Sequence, residues 1–242
     1  MGRRFGETGE WGVRFNGRYQ NGETPRDGNS RRTSLAALAL DYRGRDLRVA
    51  LDLISQSYHD NRAPTKYYLA NYQGTAVPSA PDLKINATDP SAWSTEKMDS
   101  VQVTTEYDIS SNWQIFAGAG QSRIAYDSID PYEPLVDNIG TTKRSFTSYH
   151  APAKKESYRA GIRGQLETGP VLHKMVFSAD WYRNKISTLY APALGVVPDG
   201  NIYLPAVPLA LQFGQMQENS TAASSFRSIV LADTLSTLND RV

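Results

Sequence analysis

Three histidines and one close carboxylate pair are the groups in this 242-residue chain that could carry chemistry: His59, His150 and His173, and Glu106 with Asp108. A metal centre needs His, Cys, Asp or Glu at short ligand spacing, yet the histidines lie far apart and the chain has no cysteine. His59 and His150 fall in or beside long connections and His173 sits at an apolar position, so each reads as a surface or interfacial histidine. Glu106 and Asp108 alternate with apolar residues in VQVTTEYD, which makes them partners for cations on one strand face rather than an acid–base pair. Gly118-Ala119-Gly120 lacks the following helix that a dinucleotide fingerprint requires, and small residues in a strand leave room for a neighbouring backbone. Asn86-Ala87-Thr88 and Asn219-Ser220-Thr221 match a glycosylation pattern common by chance. The expectation is no enzyme, no catalytic residue and no protein-held metal.

Aromatic residues are better placed for function. Tyr58 lies on the polar parity at the end of its strand, and Tyr67, Tyr68, Tyr72 and Trp93 follow in the longest connection. Aromatic rings gathered in a loop on a rigid scaffold suit a flat, partly apolar ligand. Tyr126, Tyr132 and Tyr149 are further candidates in the next long connection.

These residues are positioned by alternation. In GPVLHKMVFSADWYRNK, one parity reads Val171, His173, Met175, Phe177, Ala179, Trp181, and the other Leu172, Lys174, Val176, Ser178, Asp180, Tyr182. The same period of two runs through Trp11–Gln20, Leu38–Tyr42, Leu47–Gln56, Val101–Asp108, Trp113–Ser122 and Tyr158–Leu166. A last strand falls near Phe226–Thr234, with its facing left open. The strands are read as roughly ten to twelve residues, nearer the 9–11 of a bilayer-spanning strand than the usual five or six. Hydrophobic residues make up 40% and charged residues 21%, with mean hydropathy −0.49. No apolar run is long enough for a transmembrane helix, but alternating barrel strands keep just such a low mean. A net charge of +1 gives no bulk attraction to nucleic acid, so none is expected as a partner.

Connections are expected to alternate in length. Short turns occur at 44–46, 108–112 and 167–170, and long connections at 21–31, about 59–98, about 125–156 and about 185–224. Outer-membrane barrels have short periplasmic turns and long external loops. Trp11, Tyr42, Tyr107 and Trp113 mark one expected aromatic girdle at the turn end, and Tyr19 and Trp181 the other. On the opposite parity Arg14, Arg18, Arg48, Asp52, Glu106, Arg159, Arg163, Lys174 and Asp180 are expected to line a wet lumen.

Five segments carry a family resemblance: RRFGETGEWGVRFNGRYQNGET, DLRVALDLISQSYHDNR, YDISSNWQIFAGAGQSR, ETGPVLHKMVFSADWYR and LADTLSTLNDRV. In order, from Gly2 to Val242, they resemble strand–turn units of the TonB-dependent siderophore receptors of Gram-negative outer membranes. The resemblance implies an all-β antiparallel transmembrane barrel of about 22 strands, of which residues 1–242 supply about eight consecutive ones. The plug domain and the C-terminal strands are not expected within it, and MGRRFGETGE has no apolar signal-peptide core. The chain is accordingly read as an internal piece of such a receptor, or the product of a truncated gene, stopping at Arg241-Val242 just after a turn. It also implies a ferric siderophore as ligand, carrying its own iron, so that the protein needs no cofactor. Outer-membrane lipid surrounds such a barrel, and the TonB energy-coupling complex acts through parts outside this chain. Two other readings stand beside it: a stand-alone small outer-membrane barrel with a structural or adhesive role, and a soluble all-β carbohydrate-binding or enzymatic domain.

Overall fold

The computed structural model describes residues 1–63 and 66–237, so the expected stop after a turn, at 238–242, lies outside the described residues. Its elements, all strands, are β1 (Gly2–Phe5), β2 (Trp11–Glu23), β3 (Ser30–Arg43), β4 (Leu47–Asn61), β5 (Tyr67–Tyr68), β6 (Trp93–Asp108), β7 (Trp113–Pro134), β8 (Thr141–Thr142), β9 (Ser145–Thr168), β10 (Val171–Pro192), β11 (Gly200–Asn201) and β12 (Gln217–Ser236). One sheet runs β1-β2-β3-β4-β6-β7-β9-β10-β12, each strand antiparallel to the next, with β5 beside β7 and a separate β8–β11 pair. Among the described residues β1 and β12 are the two edges and do not pair with each other.

The strands are longer than the alternation indicates: β7 and β10 have 22 residues and β9 has 24. Much of 125–156, expected as a loop, is therefore strand, as are the ends of 59–98 and 185–224. Two features hide this in the sequence. Beyond the apolar stretch both faces become polar, as at Arg123, Asp127, Lys154 and Lys185, so the two-residue hydropathy period fades while the backbone ladder continues. Pro131, Pro134, Pro152 and Pro192 also read as strand breakers, because proline cannot donate to a ladder. Here the ladder carries through or up to each of them. The connections nevertheless alternate, with tight turns at 44–46, 109–112 and 169–170 against longer ones at 62–92, 135–144 and 193–216.

A continuous antiparallel register places side chains in rows across the sheet, and each row belongs to one face. One row runs Val13, Leu40, Leu51, Val103, Ala119, Tyr158, Trp181 on seven successive strands. The next towards the tight turns runs Trp11, Tyr42, Val49, Thr105, Ala117, Ala160, Ala179, Ile229. Large apolar residues across this face remain exposed, for instance Trp11 at 47% and Ile229 at 76% in these rows and Phe15 at 52% and Phe177 at 48% in the adjoining ones. A face this broad and apolar is not a soluble surface. The register also settles β12, whose Ile229 and Leu231 join the apolar face while Phe226, Ser228 and Val230 join the polar one.

Burial is concentrated at the long-connection end. Asn29, Asn86, Thr88, Asp89, Ser128 and Glu133 are essentially inaccessible, together with Ala92, Leu135, Phe146 and Ile202. Asn29 donates to Asp60 at 2.7 Å and to the Asn61 carbonyl at 2.8 Å, while Arg62 donates to the carbonyls of Thr88 and Asn86 at 2.7 and 3.0 Å. Further contacts join the long connections: Leu209 N–H to Asp89 at 3.2 Å, Tyr203 to the Ser79 carbonyl at 2.7 Å, Asn201 to the Ile139 carbonyl at 3.0 Å. The outcome is a packed cap on one end of an otherwise uncovered sheet.

Candidate functional site

The polar face carries a ring of ionic side chains near the tight turns. Arg48 on β4 donates to Glu106 on β6 at 3.2 Å and to Asp108 at 2.5 Å. Arg163 on β9 donates to the other Glu106 oxygen at 2.7 Å and to the Gln114 amide oxygen at 2.7 Å. Gln114 on β7 closes the ring by donating to Asp108 at 2.7 Å. Every charge in it has an opposite partner, and all the side chains remain partly open to water, as charges on a sheet face require. Arg159 pairs with Asp180, and Arg4 with Asp41 at 2.8 Å, on the same face.

All nine residues read from the sequence as a polar lining lie on this face, as the strand registers place them. Arg48, Glu106 and Arg163 meet in the ring and Arg159 meets Asp180, whereas Arg18 donates to Gln20 at 2.7 Å along its own strand. Asp52 stands between Ala39 and Gln102. Arg14 faces Ala39, and Lys174 lies opposite Gln165 and Thr234. The six girdle aromatics Trp11, Tyr19, Tyr42, Tyr107, Trp113 and Trp181 share the apolar face. Trp11 packs on Tyr42 at 4.8 Å between centroids, and Trp181 on Tyr158 at 5.3 Å.

The five aromatic candidates do not form one cluster. Tyr58 is on the polar face, donating its hydroxyl to Asp60 at 2.8 Å. Tyr68 packs against Tyr132 of β7 at 4.9 Å. Its neighbour Tyr67 points into the cap, where desolvation pushes the phenol up to about 12. Tyr72 donates to the Ala76 carbonyl within its own loop. Trp93 is a correction: it opens β6 instead of lying in the loop, and its parity puts it on the opposite face from Tyr58, against His59 at 6.1 Å. An odd number of residues along a strand always changes the face, and the strand start at Trp93 is invisible in a polar segment.

What the register adds is a tyrosine-rich patch at the outer end of the polar face. One row reads Thr33, Tyr58, Glu96, Tyr126, Ala151 across five strands. The next row outward brings Ser94, Ser128, Tyr149 and Tyr190 together. Glu96 and Tyr190 carried no sequence signal because the apolar alternation of β6 begins after Glu96 and that of β10 stops before Tyr190. The patch offers stacking surfaces and phenolic hydroxyls beside the carboxylates of Asp60, Glu96 and Asp130, a setting for binding rather than bond-making. Each histidine has a local partner: His59 with Thr95 at 2.7 Å, His150 with Asp127 at 2.6 Å, His173 with Asp233 at 2.7 Å. Among the described residues no group of three or more His, Asp or Glu is placed to hold a metal ion.

No family model matches the chain. A ferrichrome receptor, FcuA of Yersinia enterocolitica, is 29% identical over 250 residues, covering 100% of this chain and 32% of that protein. The ferric preacinetobactin receptor BauA of Acinetobacter baumannii superposes with a TM-score of 0.83 at 26% identity, over 99% of this chain and 36% of that one. The outer-membrane ferripyoverdine receptor of Pseudomonas aeruginosa shares the fold alone, with a TM-score of 0.78 at 12% identity over 31% of its length. All three of these relatives are receptors. The chain spans about a third of the length of the relatives it matches. Over its whole length the chain is thus similar in sequence to about a third of a ferrichrome receptor, and in sequence and fold to about a third of a ferric preacinetobactin receptor.

Proposed function

We propose that this chain builds part of the wall of an outer-membrane receptor that takes up a ferric siderophore in a TonB-energised step. The single observation that carries the reading is the two-faced sheet. Its apolar rows suit acyl chains, its ionic polar face suits a hydrated lumen, and its long connections gather at one end. In this reading the cap faces outward and the tight turns face the periplasm. The siderophore approaches the polar face at its outer end, where Tyr58, Tyr126, Tyr149 and Tyr190 line the sheet and Tyr68, Tyr67 and Tyr72 edge the cap. Trp93, on the outer face, has the weakest claim to such contact. Iron arrives already coordinated by the chelate, so the protein supplies shape and stacking rather than ligand atoms.

The test is expression in a Gram-negative host, outer-membrane fractionation, and retention of radiolabelled iron presented as hydroxamate, catecholate or free ferric citrate. Expected is retention of one siderophore class, lowered about tenfold by Tyr126→Ala with Tyr58→Ala, as loss of one to two stacking contacts implies. Equal retention of every iron form, or its indifference to both substitutions, would sink this reading of the patch.

A further inference from the structure

The tyrosine patch at the outer end of the polar face holds more carboxylate than free cation. Glu96 on β6 stands between Tyr58 on β4 and Tyr126 on β7, a direct cross-strand neighbour of both. Neighbouring strands are about 4.8 Å apart, so a phenol flanks the carboxylate on each side. Asp130, further outward on β7, accepts a hydrogen bond from the Tyr126 hydroxyl at 3.5 Å. Tyr126 thus adjoins both carboxylates, and neither of them forms an ion pair among the described residues. Between Tyr126 and Asp130, on the same strand parity, lies Ser128, which is 1% exposed and whose Oγ completes no hydrogen bond. Desolvation raises the Asp130 carboxyl above its ordinary value, with the nearby Ser128 and Tyr126 hydroxyls opposing. The cations at this end are committed elsewhere. Arg31 pairs with Asp60, which also accepts from Asn29 and Tyr58. Arg26, Arg62 and Arg144 donate to backbone carbonyls of the cap, at Ile85, at Thr88 and Asn86, and at Pro198. On the polar face the next cations inward are Lys155, about 13 Å along the strands from Tyr126, and Arg18, three strands away from Glu96.

We infer that this patch is a seat for an organic cation: the ligand it takes carries a protonated amine, held against the Tyr126 ring between Glu96 and Asp130. The inference rests on the reading that the polar face takes up a ferric siderophore, and it narrows the class to chelates of net positive charge. A tyrosine face attracts a cation through its ring quadrupole, and a carboxylate beside the ring adds the counter-charge. An ammonium has three donors, for which Glu96, Asp130 and the unpartnered Ser128 hydroxyl are acceptors. A bare metal ion fits less well, because among the described residues no group of three or more His, Asp or Glu is placed to hold one. Charge then sorts the chelates. Three hydroxamate groups carry one negative charge each and cancel that of ferric iron, so a pendant amine leaves the complex cationic. Three catecholate groups carry two each and leave it anionic, which sets like charge against Glu96 and Asp130.

The test uses outer membranes carrying the full chain and three radio-iron chelates built on one trihydroxamate core. These are desferrioxamine B with its free amine, its N-acetyl derivative and its N-succinyl derivative, which are cationic, neutral and anionic at unchanged iron coordination. Expected is retention of the amine form about tenfold above the acetyl form, the scale of one partly desolvated cation contact, with the succinyl form lower still. Glu96→Gln with Asp130→Asn should bring the amine form down to the acetyl level. The acetyl form itself should hold within about twofold in that variant, which shows that it folds. Asp52→Asn, a carboxylate three rows inward on β4, should keep the full preference. Calcium should not compete with the amine form. The seat is overturned by equal retention of the three chelates, by a preference for the succinyl form, or by a preference that survives the double substitution. A loss in that variant falling equally on the amine and acetyl forms overturns it too, as does competition by calcium, which would mark a metal site instead. Retention of a ferric catecholate but of none of these three overturns the cation seat and leaves the siderophore reading standing. Retention of no iron chelate at all overturns both.

Discussion

Arg163 on β9 reaches past β7 to Glu106 on β6, closing at 2.7 Å on the carboxylate oxygen that Arg48 leaves open. The reach is possible because Phe116 lies between them, with its ring 5.7 Å beneath the guanidinium, and because Gly161 beneath that ring has no side chain. One carboxylate therefore joins three strands that are not all neighbours.

Glu106 and Arg48 should matter more than Arg163, because each holds two ion pairs of the ring and Arg163 holds one. Glu106→Gln leaves Arg163 without its carboxylate while Arg48 keeps Asp108, and Arg48→Gln removes a cation from both Glu106 and Asp108. With partly exposed pairs the expected loss is about 1 kcal/mol for either and less than half of that for Arg163→Gln. Denaturant midpoints in detergent measure it, and an equal loss for all three would mean the ring is not a coupled unit.

Two glycines that look alike in the sequence should respond oppositely. A Cβ on Gly164 would lie 2.4 Å from the Trp113 ring and 2.6 Å from the Asn112 carbonyl, while at Gly118 the nearest atom is 3.5 Å away. Gly164→Ala must displace the indole, costing about 1–3 kcal/mol, and Gly118→Ala should be close to neutral. Tryptophan emission and thermal stability report both, and a neutral Gly164→Ala would refute the close packing of Trp113.

The cap should loosen as pH rises. Glu133, at the outer end of β7 beyond the apolar rows, is 1% exposed with one carboxyl oxygen unpartnered. Burial pushes its carboxyl from 4.5 up to about 7, with Arg144 opposing and Asp89 adding. The folded state thus binds this proton more tightly than the unfolded chain does. Its stabilisation is complete below about pH 4.5, falls through the interval and is gone above about 7, a change on the order of 3 kcal/mol. Glu133 lies beside Tyr67 in the β5–β7 pairing, so proteolysis or amide exchange of 66–72 should speed up over that range. Glu133→Gln should flatten the profile, and an unchanged profile in the variant would assign the pH effect elsewhere.

The four tryptophans should divide by depth. Trp11, Trp113 and Trp181 sit on the apolar rows or their margins, whereas Trp93 lies several rows outward of the Arg123–Lys154–Lys185 row. Single-tryptophan variants in bilayers of brominated lipid should be quenched strongly for the first three and weakly for Trp93. Strong quenching of Trp93 would move the bilayer outward and contradict the depth that the apolar rows imply.

Much of this protein is decided by local rules acting along the chain. Alternation fixes which side chains share a face, since a strand turns its residues over every second position. Hence the placement of Arg48, Glu106, Arg163 and Asp180 on one side and Trp11, Tyr107, Trp113 and Trp181 on the other is legible in the sequence. The tight turns at 44–46, 109–112 and 169–170 are legible too, because glycine, asparagine and proline punctuate them. Only the tertiary structure decided how far each strand runs, because above the apolar rows the ladder is held by backbone hydrogen bonds that polar side chains and prolines do not announce. Register, which follows from pairing and not from any one strand, decided the rest. It set Tyr58 beside Glu96 and Tyr126, turned Trp93 to the outer face, and aligned Arg123, Lys154 and Lys185, residues about thirty apart in the chain, as neighbours across three strands.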